Sequence, residues 1–263
     1  MTFKALITEE TDSGFVCSIK ERQISELPEG EVLIKVHYSS LNYKDALSAS
    51  GNKGVSRNFP HTPGIDASGI VEESQSASFK KGDEVIVTGY DLGMNTSGGF
   101  SEYIRVPSMW VIKKPENLEL SEAMAYGTAG LTAGLCTRKL LMHGLKPEDG
   151  EVFVTGATGG VGIVAVMLLS KLGFDVVAIS GKEDQRDLLL SLGAKEVIHR
   201  NEYKHYTDKK ILIGSSGYSL NEIIKSKRIL IDFSPSETII TGRVNGIDSN
   251  VLFLKDGSKR VYD

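Results

Sequence analysis

VTGATGGVG, residues 154–162, is the stretch on which the reading of this chain turns. Glycines at 156, 159, 160 and 162 follow the apolar run EVFVT (151–155) and lead into VGIVAVMLLSKL (161–172), which reads as a helix. A strand that ends in glycines and opens a helix suits a phosphate. Bare α-carbons let a pyrophosphate reach the backbone, and the N–H groups of the first helical turn have no intrahelical acceptor. Gly156, Ala157, Thr158, Gly159, Gly160, Val161 and Gly162 are therefore the candidate cofactor-binding loop.

Downstream, DVVAIS (175–180) reads as a second strand, DQRDLLLSLG (184–193) as a second helix and KEVIHR (195–200) as a third strand. Strands alternating with helices call for a parallel sheet of Rossmann type. At the end of the second strand an Asp or Glu would hold the ribose 2′-hydroxyl of NAD. The chain has Ser180-Gly181-Lys182 there instead, with Arg186 one turn further. A hydroxyl and cations favour a 2′-phosphate, so Ser180, Lys182 and Arg186 point to NADPH rather than NADH. The alternative is that Lys182 and Arg186 only solvate the start of a helix.

Upstream the texture differs. FKALIT, GFVCSIKE, EVLIKVHYSS, ASGIVEES, DEVIVTG and FSEYIRV are short apolar runs separated by turn signals such as PEG, KKGD and SGG, the pattern of a β-rich module. SEAMAYGTAGLTAGLCTRKLLMH (121–143) lacks proline and reads as a helix joining the two parts. The expected domains are 1–118, β-rich; 119–204, a βαβαβ dinucleotide-binding portion; and 205–263, a tail of strand, helix, strand and a three-stranded meander turning at Gly246 and DGS.

With 263 residues, two domains fit an allowance of roughly 100–200 residues each. A net charge of −4 without a basic block leaves no footprint for nucleic acid and favours a small-molecule partner. The start lacks a secretory pattern, and the longest apolar run is about half of a membrane span, so a soluble, cytoplasmic protein with no membrane partner is expected. Cys17 and Cys136, far apart, read as small core residues, and the five histidines show no ligand spacing, so no metal is expected.

SSLNYKDAL, PGIDASGIV, KKGDEVIVTGY, GGFSEYIRVP, AMAYGTAGLTAGLC, VTGATGGVG, VVAISGK and LLSLGAKEVI follow one another across residues 3–200. Together they resemble the zinc-free quinone-oxidoreductase branch of the medium-chain dehydrogenase/reductase superfamily, and within it the NADPH-dependent acrylyl-CoA reductases. The resemblance implies an α/β chain. Its N-terminal GroES-like domain would carry most of the substrate site, and its Rossmann domain would hold the cofactor in the cleft between. Zinc-dependent members place a ligating cysteine near the position of Asn42 and a cysteine quartet in the stretch Met94–Arg105, and this chain has neither. The chemistry implied is hydride transfer from NADPH to a double bond conjugated to a carbonyl, in an enone, a quinone or an enoyl thioester.

By the same resemblance Tyr43 is the candidate acid that protonates the α-carbon, Asn42 orients the nicotinamide or the carbonyl, and Thr128 in GTAG lies along the nicotinamide. The competing readings are that Tyr43 packs under a loop, that Asn42 caps a helix, and that the small residues around Thr128 let two helices approach. Asp66 in PGIDASG reads as structural, and His61 as a local departure from an apolar position.

After Arg200 the chain leaves the family pattern. Residues 199–223 and 242–263 are similar to the NADP-binding region of flavin-dependent monooxygenases, although Gly214-Ser215-Ser216-Gly217 does not reproduce GxGxxG. A parallel sheet interrupted after its third strand would expose an unpaired edge. Either the tail supplies strands, or a second copy pairs there as a homodimer. Two further functions therefore stand beside the reductase: an NADP-binding homologue with impaired catalysis, and a remnant of a flavin monooxygenase fusion.

Overall fold

The computed structural model describes residues 1–202 and the four strands 211–213, 228–232, 250–253 and 259–262. It divides into two compact units, Met1–Leu131 and Thr132–Asp263.

The first unit is a hairpin and a sheet. Strands β1 (Thr2–Thr11) and β2 (Gly14–Gln23) pair antiparallel from Thr2↔Gln23 to Thr11↔Gly14. Next come β3 (Val32–Tyr38), the short helix α1 (Tyr43–Ala49), β4 (Asp66–Ser74), β5 (Glu84–Thr88), β6 (Tyr103–Val106) and β7 (Val111–Lys113). These strands form an antiparallel sheet in the order β6-β3-β4-β5-β7. Val32 and Ile34 of β3, Ala67 and Val71 of β4, Val85 and Val87 of β5, and Ile104 and Val106 of β6 fill one core, as period-2 alternation requires. Cys17 is exposed on β2, a correction to its reading as a core residue: its thiol lies at the end of α1, where it donates to the Ala49 carbonyl at 3.1 Å, and not among the apolar side chains.

Helix α2 (Leu120–Met142) passes from one unit to the other and is broken at Gly127, where φ is 48° and ψ −149°. Before the break, Ala123 and Met124 pack with Ile86 of the first unit; after it, Ala133 and Leu140 belong to the core of the second. The division between the two units falls inside this helix, between Leu131 and Thr132.

The second unit contains β8 (Glu151–Thr155), α3 (Gly160–Lys171), β9 (Val176–Ser180), α4 (Arg186–Ser191), β10 (Glu196–His199), β11 (Ile211–Ile213) and β12 (Arg228–Asp232). The sheet is parallel throughout, in the order β10-β9-β8-β12-β11. Val152, Val154, Val176, Ala178 and Val197 point to one core, shared with Ala165, Val166 and Leu169 of α3, whereas Phe153, Val177, Ile179 and Ile198 form a cluster of their own. Burial on both faces is why these strands read as unbroken apolar runs.

The edge of β8 is occupied by the tail itself. β12 pairs with β8 from Arg228↔Glu151 to Asp232↔Thr155, and β11 adds outside it. Of the two ways to close the interrupted sheet, strands from the same chain are what the fold uses, so the open-edge argument for a homodimer falls away. The fifth strand in sequence, not the fourth, takes the inner place. Strands β13 (Asn250–Phe253) and β14 (Lys259–Tyr262) form the antiparallel pair expected of the meander. The helix expected between the two tail strands, the Gly214–Gly217 turn and the first strand of the meander lie outside the described residues.

Candidate functional site

In the first unit the site residues gather around a carboxylate. Asp66 opens β4 and is fully buried at 0% exposure. Its Oδ2 accepts hydrogen bonds from Ser40 Oγ at 2.6 Å, Asn42 Nδ2 at 2.9 Å and the Thr128 N–H at 3.0 Å. Its Oδ1 accepts from Thr128 Oγ1 at 2.6 Å. A second buried carboxylate, Asp45, lies beside it. Asp45 Oδ2 accepts from the Asn42 N–H at 2.7 Å and from Asn42 Nδ2 at 3.2 Å, and its Oδ1 accepts from the Ile65 N–H at 2.9 Å. Burial raises the Asp45 carboxyl above the usual range, against the lowering effect of the donors from Asn42 and Ile65; the nearby Asp66 charge raises it further.

Asn42 is thus the N-cap of α1, with φ −123° and ψ 153°, and its amide donor is shared between two acids. This geometry turns the donor inward, toward Asp45 and Asp66. Tyr43, the first residue of α1, is 75% exposed, and its hydroxyl has no hydrogen-bond partner among the described residues. Thr128 restarts α2 after the break. Gly127 has to be glycine: besides its positive φ, a β-carbon there would stand 2.4 Å from Ser40 Oγ and 2.7 Å from Asp66 Oδ2.

His61 is buried, and its Nε2 donates to the Gly93 carbonyl at 2.9 Å. Desolvation lowers its pKa, opposed by the Gly93 carbonyl and the charge of Asp91. In the stretch beginning at Met94, Asn95 Nδ2 and Thr96 Oγ1 donate to the two oxygens of Asp91 at 3.1 and 3.0 Å. Among the described residues no cluster of three His, Cys, Asp or Glu side chains is placed to hold a metal ion. None of the described helices is long and apolar enough to cross a membrane.

In the second unit the loop is backbone. Gly156 takes φ 59°, the Gly159 N–H donates to the Gly156 carbonyl at 2.8 Å, and Gly159 caps α3 in extended conformation. Ala157 is buried, and the Ala157 N–H donates to the Ile179 carbonyl at 3.3 Å, fixing the loop to β9. A β-carbon on Gly162 would lie 2.2 Å from the Gly156 carbonyl oxygen. That contact draws helix and strand together, the packing a dinucleotide loop requires. Thr158 and Gly160 complete the rim, while Val161 packs on the core below.

Ser180 ends β9, and its Oγ accepts from the Lys182 N–H at 3.0 Å. The Lys182 side chain is exposed. Arg186 Nη1 donates to the Val197 carbonyl at 2.7 Å. The guanidinium over this turn belongs to Arg200, which the sequence reading passed over. A β-carbon on Gly181 would meet Arg200 Nε at 2.2 Å, and the Arg200 N–H donates to the Ser180 carbonyl at 2.9 Å. The available signal was its place one residue beyond β10, since parallel neighbours β9 and β10 end side by side. Donors from residues 40, 42 and 128 meeting one acid at 66 leave no local motif in the sequence.

Residues 28–116 match the family described as the alcohol dehydrogenase GroES-like domain. The chain is 48% identical over 200 residues to the probable acrylyl-CoA reductase AcuI of Escherichia coli, covering 76% of this chain and 62% of that protein. It thus spans less than two thirds of that relative's length. The crystal structure of the yhdH oxidoreductase from Salmonella enterica in complex with NADP superposes with a TM-score of 0.74 at 46% identity, over 77% of this chain and 62% of that one. The Bacillus subtilis protein yhfP, solved with NAD bound, superposes with a TM-score of 0.79 at 37% identity, over 90% of this chain and 83% of that one. A GroES-like unit of hydrogen-bonded carboxylates, a glycine loop on a parallel sheet and these likenesses agree: the chain belongs to the quinone-oxidoreductase-like branch of the medium-chain dehydrogenase/reductase superfamily.

Proposed function

We propose that this chain reduces an α,β-unsaturated carbonyl compound by hydride transfer with NADPH as donor: the carbon–carbon double bond of an enoyl thioester of the acrylyl-CoA kind, or a quinone to its hydroquinone. The observation that carries the reading is the end of β9. No acid stands there to hold a ribose 2′-hydroxyl; Ser180 and Lys182 flank Gly181, and the Arg200 guanidinium lies on its bare α-carbon. A hydroxyl with two cations fits a 2′-phosphate. The glycine loop suits the pyrophosphate, its bare α-carbons at 156, 159 and 160 leaving the backbone open at the start of α3. The family likeness supports the reaction. The NADP-bound Salmonella relative agrees with the cofactor assignment, and the NAD-bound Bacillus relative makes the preference worth measuring directly.

NADPH, when bound, supplies hydride to the β-carbon, and the electron pair of the double bond moves toward the carbonyl oxygen. The chain's own part is to hold the cofactor by the loop and the β9 turn, and to deliver the proton. Tyr43, exposed and with no hydrogen-bond partner among the described residues, donates its hydroxyl proton to the α-carbon and regains one from solvent. Asn42 and Thr128 shape the floor beside it, both held by Asp66.

The test is to mix the protein with NADPH and crotonyl-CoA, acrylyl-CoA or a naphthoquinone and follow the nicotinamide absorbance. Consumption is expected, with NADPH bound more tightly than NADH. Tyr43→Phe should lower kcat by about a hundredfold or more, the usual range for losing a general acid. Undiminished turnover in that variant removes Tyr43 from the chemistry. Binding without consumption favours an NADP-binding homologue with impaired catalysis, the reading that the family-unlike sequence after Arg200 favours. A yellow purified protein points to the flavin monooxygenase fusion.

A further inference from the structure

We propose that Asp66 is the positioning residue of the substrate half-site, a buried carboxylate that ties the Ser40–Tyr43 segment to the break in α2 so that the two behave as one body. The proposal rests on the roles given above to Asn42, Tyr43 and Thr128.

Three separate stretches of chain meet at this side chain. Ser40 and Asn42 come from the segment before α1, Thr128 from the restart of α2, and Asp66 itself from β4. All four contacts at Asp66 are donations to it, two of them at 2.6 Å. Among the described residues no Lys, Arg or His forms an ion pair with it. A buried charge without a cation is held by its hydrogen bonds alone, and bonds to an ionised acceptor are short and directional. An apolar residue would fill the same space at less cost. What the acid adds is fixed geometry.

The arrangement closes on itself. Asn42 Nδ2 bridges Asp66 and Asp45; Asp45 accepts the Ile65 N–H, and Ile65 is the neighbour of Asp66 in sequence. The start of α1, where Tyr43 sits, is therefore braced from two sides of the same turn. The bare α-carbon of Gly127 lies against Ser40 and Asp66, so the helix restart cannot shift without moving the acid. Asparagine at 66 could not serve equally. It offers one acceptor oxygen where two are used, and its amide would face donors.

The test uses the full chain and two readouts. By amide hydrogen exchange, Asp66→Asn should speed exchange about tenfold in both 40–46 and 127–131. Acceleration in one segment only, or in neither, overturns the proposal. Thr128→Val, which removes one donor and keeps the acid, should also loosen 40–46; this variant decides the matter if Asp66→Asn does not fold, and unchanged exchange in 40–46 overturns the proposal. In turnover, Asp66→Asn should lower kcat about tenfold while KM for NADPH stays within about twofold, and combined with Tyr43→Phe it should add no further loss. A multiplicative loss in the double variant, as for two independent defects, overturns the positioning role. If the unmodified protein consumes no NADPH, the reductase reading fails, and the exchange experiment alone decides whether Asp66 couples the two segments.

Discussion

In the second unit, the loop between β8 and α3 works through groups that are not there: Gly162 keeps its place because a β-carbon would strike the Gly156 carbonyl oxygen at 2.2 Å. In the first, the Asp66 cluster works through side chains, with four donors converging on one acid. A backbone cradle tolerates almost any change beside it but none within it. A side-chain cluster can lose one member and keep the rest. The two units should therefore fail differently when perturbed.

The largest effect is expected at the cradle. In Gly162→Ala the new β-carbon meets backbone, which cannot rotate away, so α3 must move off β8. Overpacking of this kind costs about 3 kcal/mol. Thermal unfolding should show a lower midpoint, and NADPH affinity, followed by its fluorescence, should be lost together with stability. Gly127→Ala sharpens the contrast. Its nearest obstacles are the Ser40 and Asp66 side chains, and its positive φ adds strain, so the damage should appear in turnover while NADPH still binds. A Gly162→Ala protein of normal stability and normal NADPH affinity would break the comparison.

That difference in material is also the difference in what could be read from sequence. The loop, the parallel sheet and the β-rich first unit were legible because each is local: glycines at fixed offsets, and apolar runs of period two or unbroken. The Asp66 cluster was not, because its partners lie 26, 24 and 62 positions away in the chain. Asn42 was legible as a helix cap, but the two carboxylates sharing its amide were not. Cys17 misled because composition gives a residue's usual environment, whereas its thiol here meets the Ala49 carbonyl at the end of α1. The tail was half legible. Its strands are apolar enough to be seen, but that β12 and not β11 would lie against β8 depends on pairing over 77 positions, beyond any local pattern.

An intermediate effect is expected where the two materials meet, at the turn after β9. Arg200→Ala should weaken NADPH about tenfold relative to NADH, about 1.4 kcal/mol for one charge-assisted contact to a phosphate. Lys182→Ala should act in the same direction. Arg186→Ala should leave the ratio of the two affinities within about twofold, because its guanidinium is engaged by the Val197 carbonyl, and cost at most a little stability. Fluorescence titration of both nucleotides decides. If Arg186→Ala shifts the ratio and Arg200→Ala does not, the assignment of the cation over Gly181 is reversed.

The smallest effect separates the units by pH. The glycine loop has no proton to gain, but in the first unit burial shifts His61 and Asp45 in opposite directions. His61 has a pKa held below its ordinary value, first by desolvation. The neutral ring is therefore the folded form, and its contribution is whole above the unfolded value of about 6.5 and lost as pH falls from there through the depressed folded value. Asp45 has a raised pKa, again first by desolvation. Its contribution is whole below the unfolded value of about 3.9 and lost as pH rises through the folded value. The two groups pull stability in opposite directions with pH, so a variant that removes one of them is needed to read the other. Urea unfolding should show the His61 contribution falling with pH below about 6.5, with a slope for this group of no more than about 1.4 kcal/mol per pH unit. His61→Gln keeps a donor for the Gly93 carbonyl but cannot titrate, so the difference between it and the parent protein isolates the ring. A difference that stays constant from pH 7.5 to 5 would mean that His61 accepts its proton without loss, and that the first unit has room around it which the Gly93 contact does not suggest.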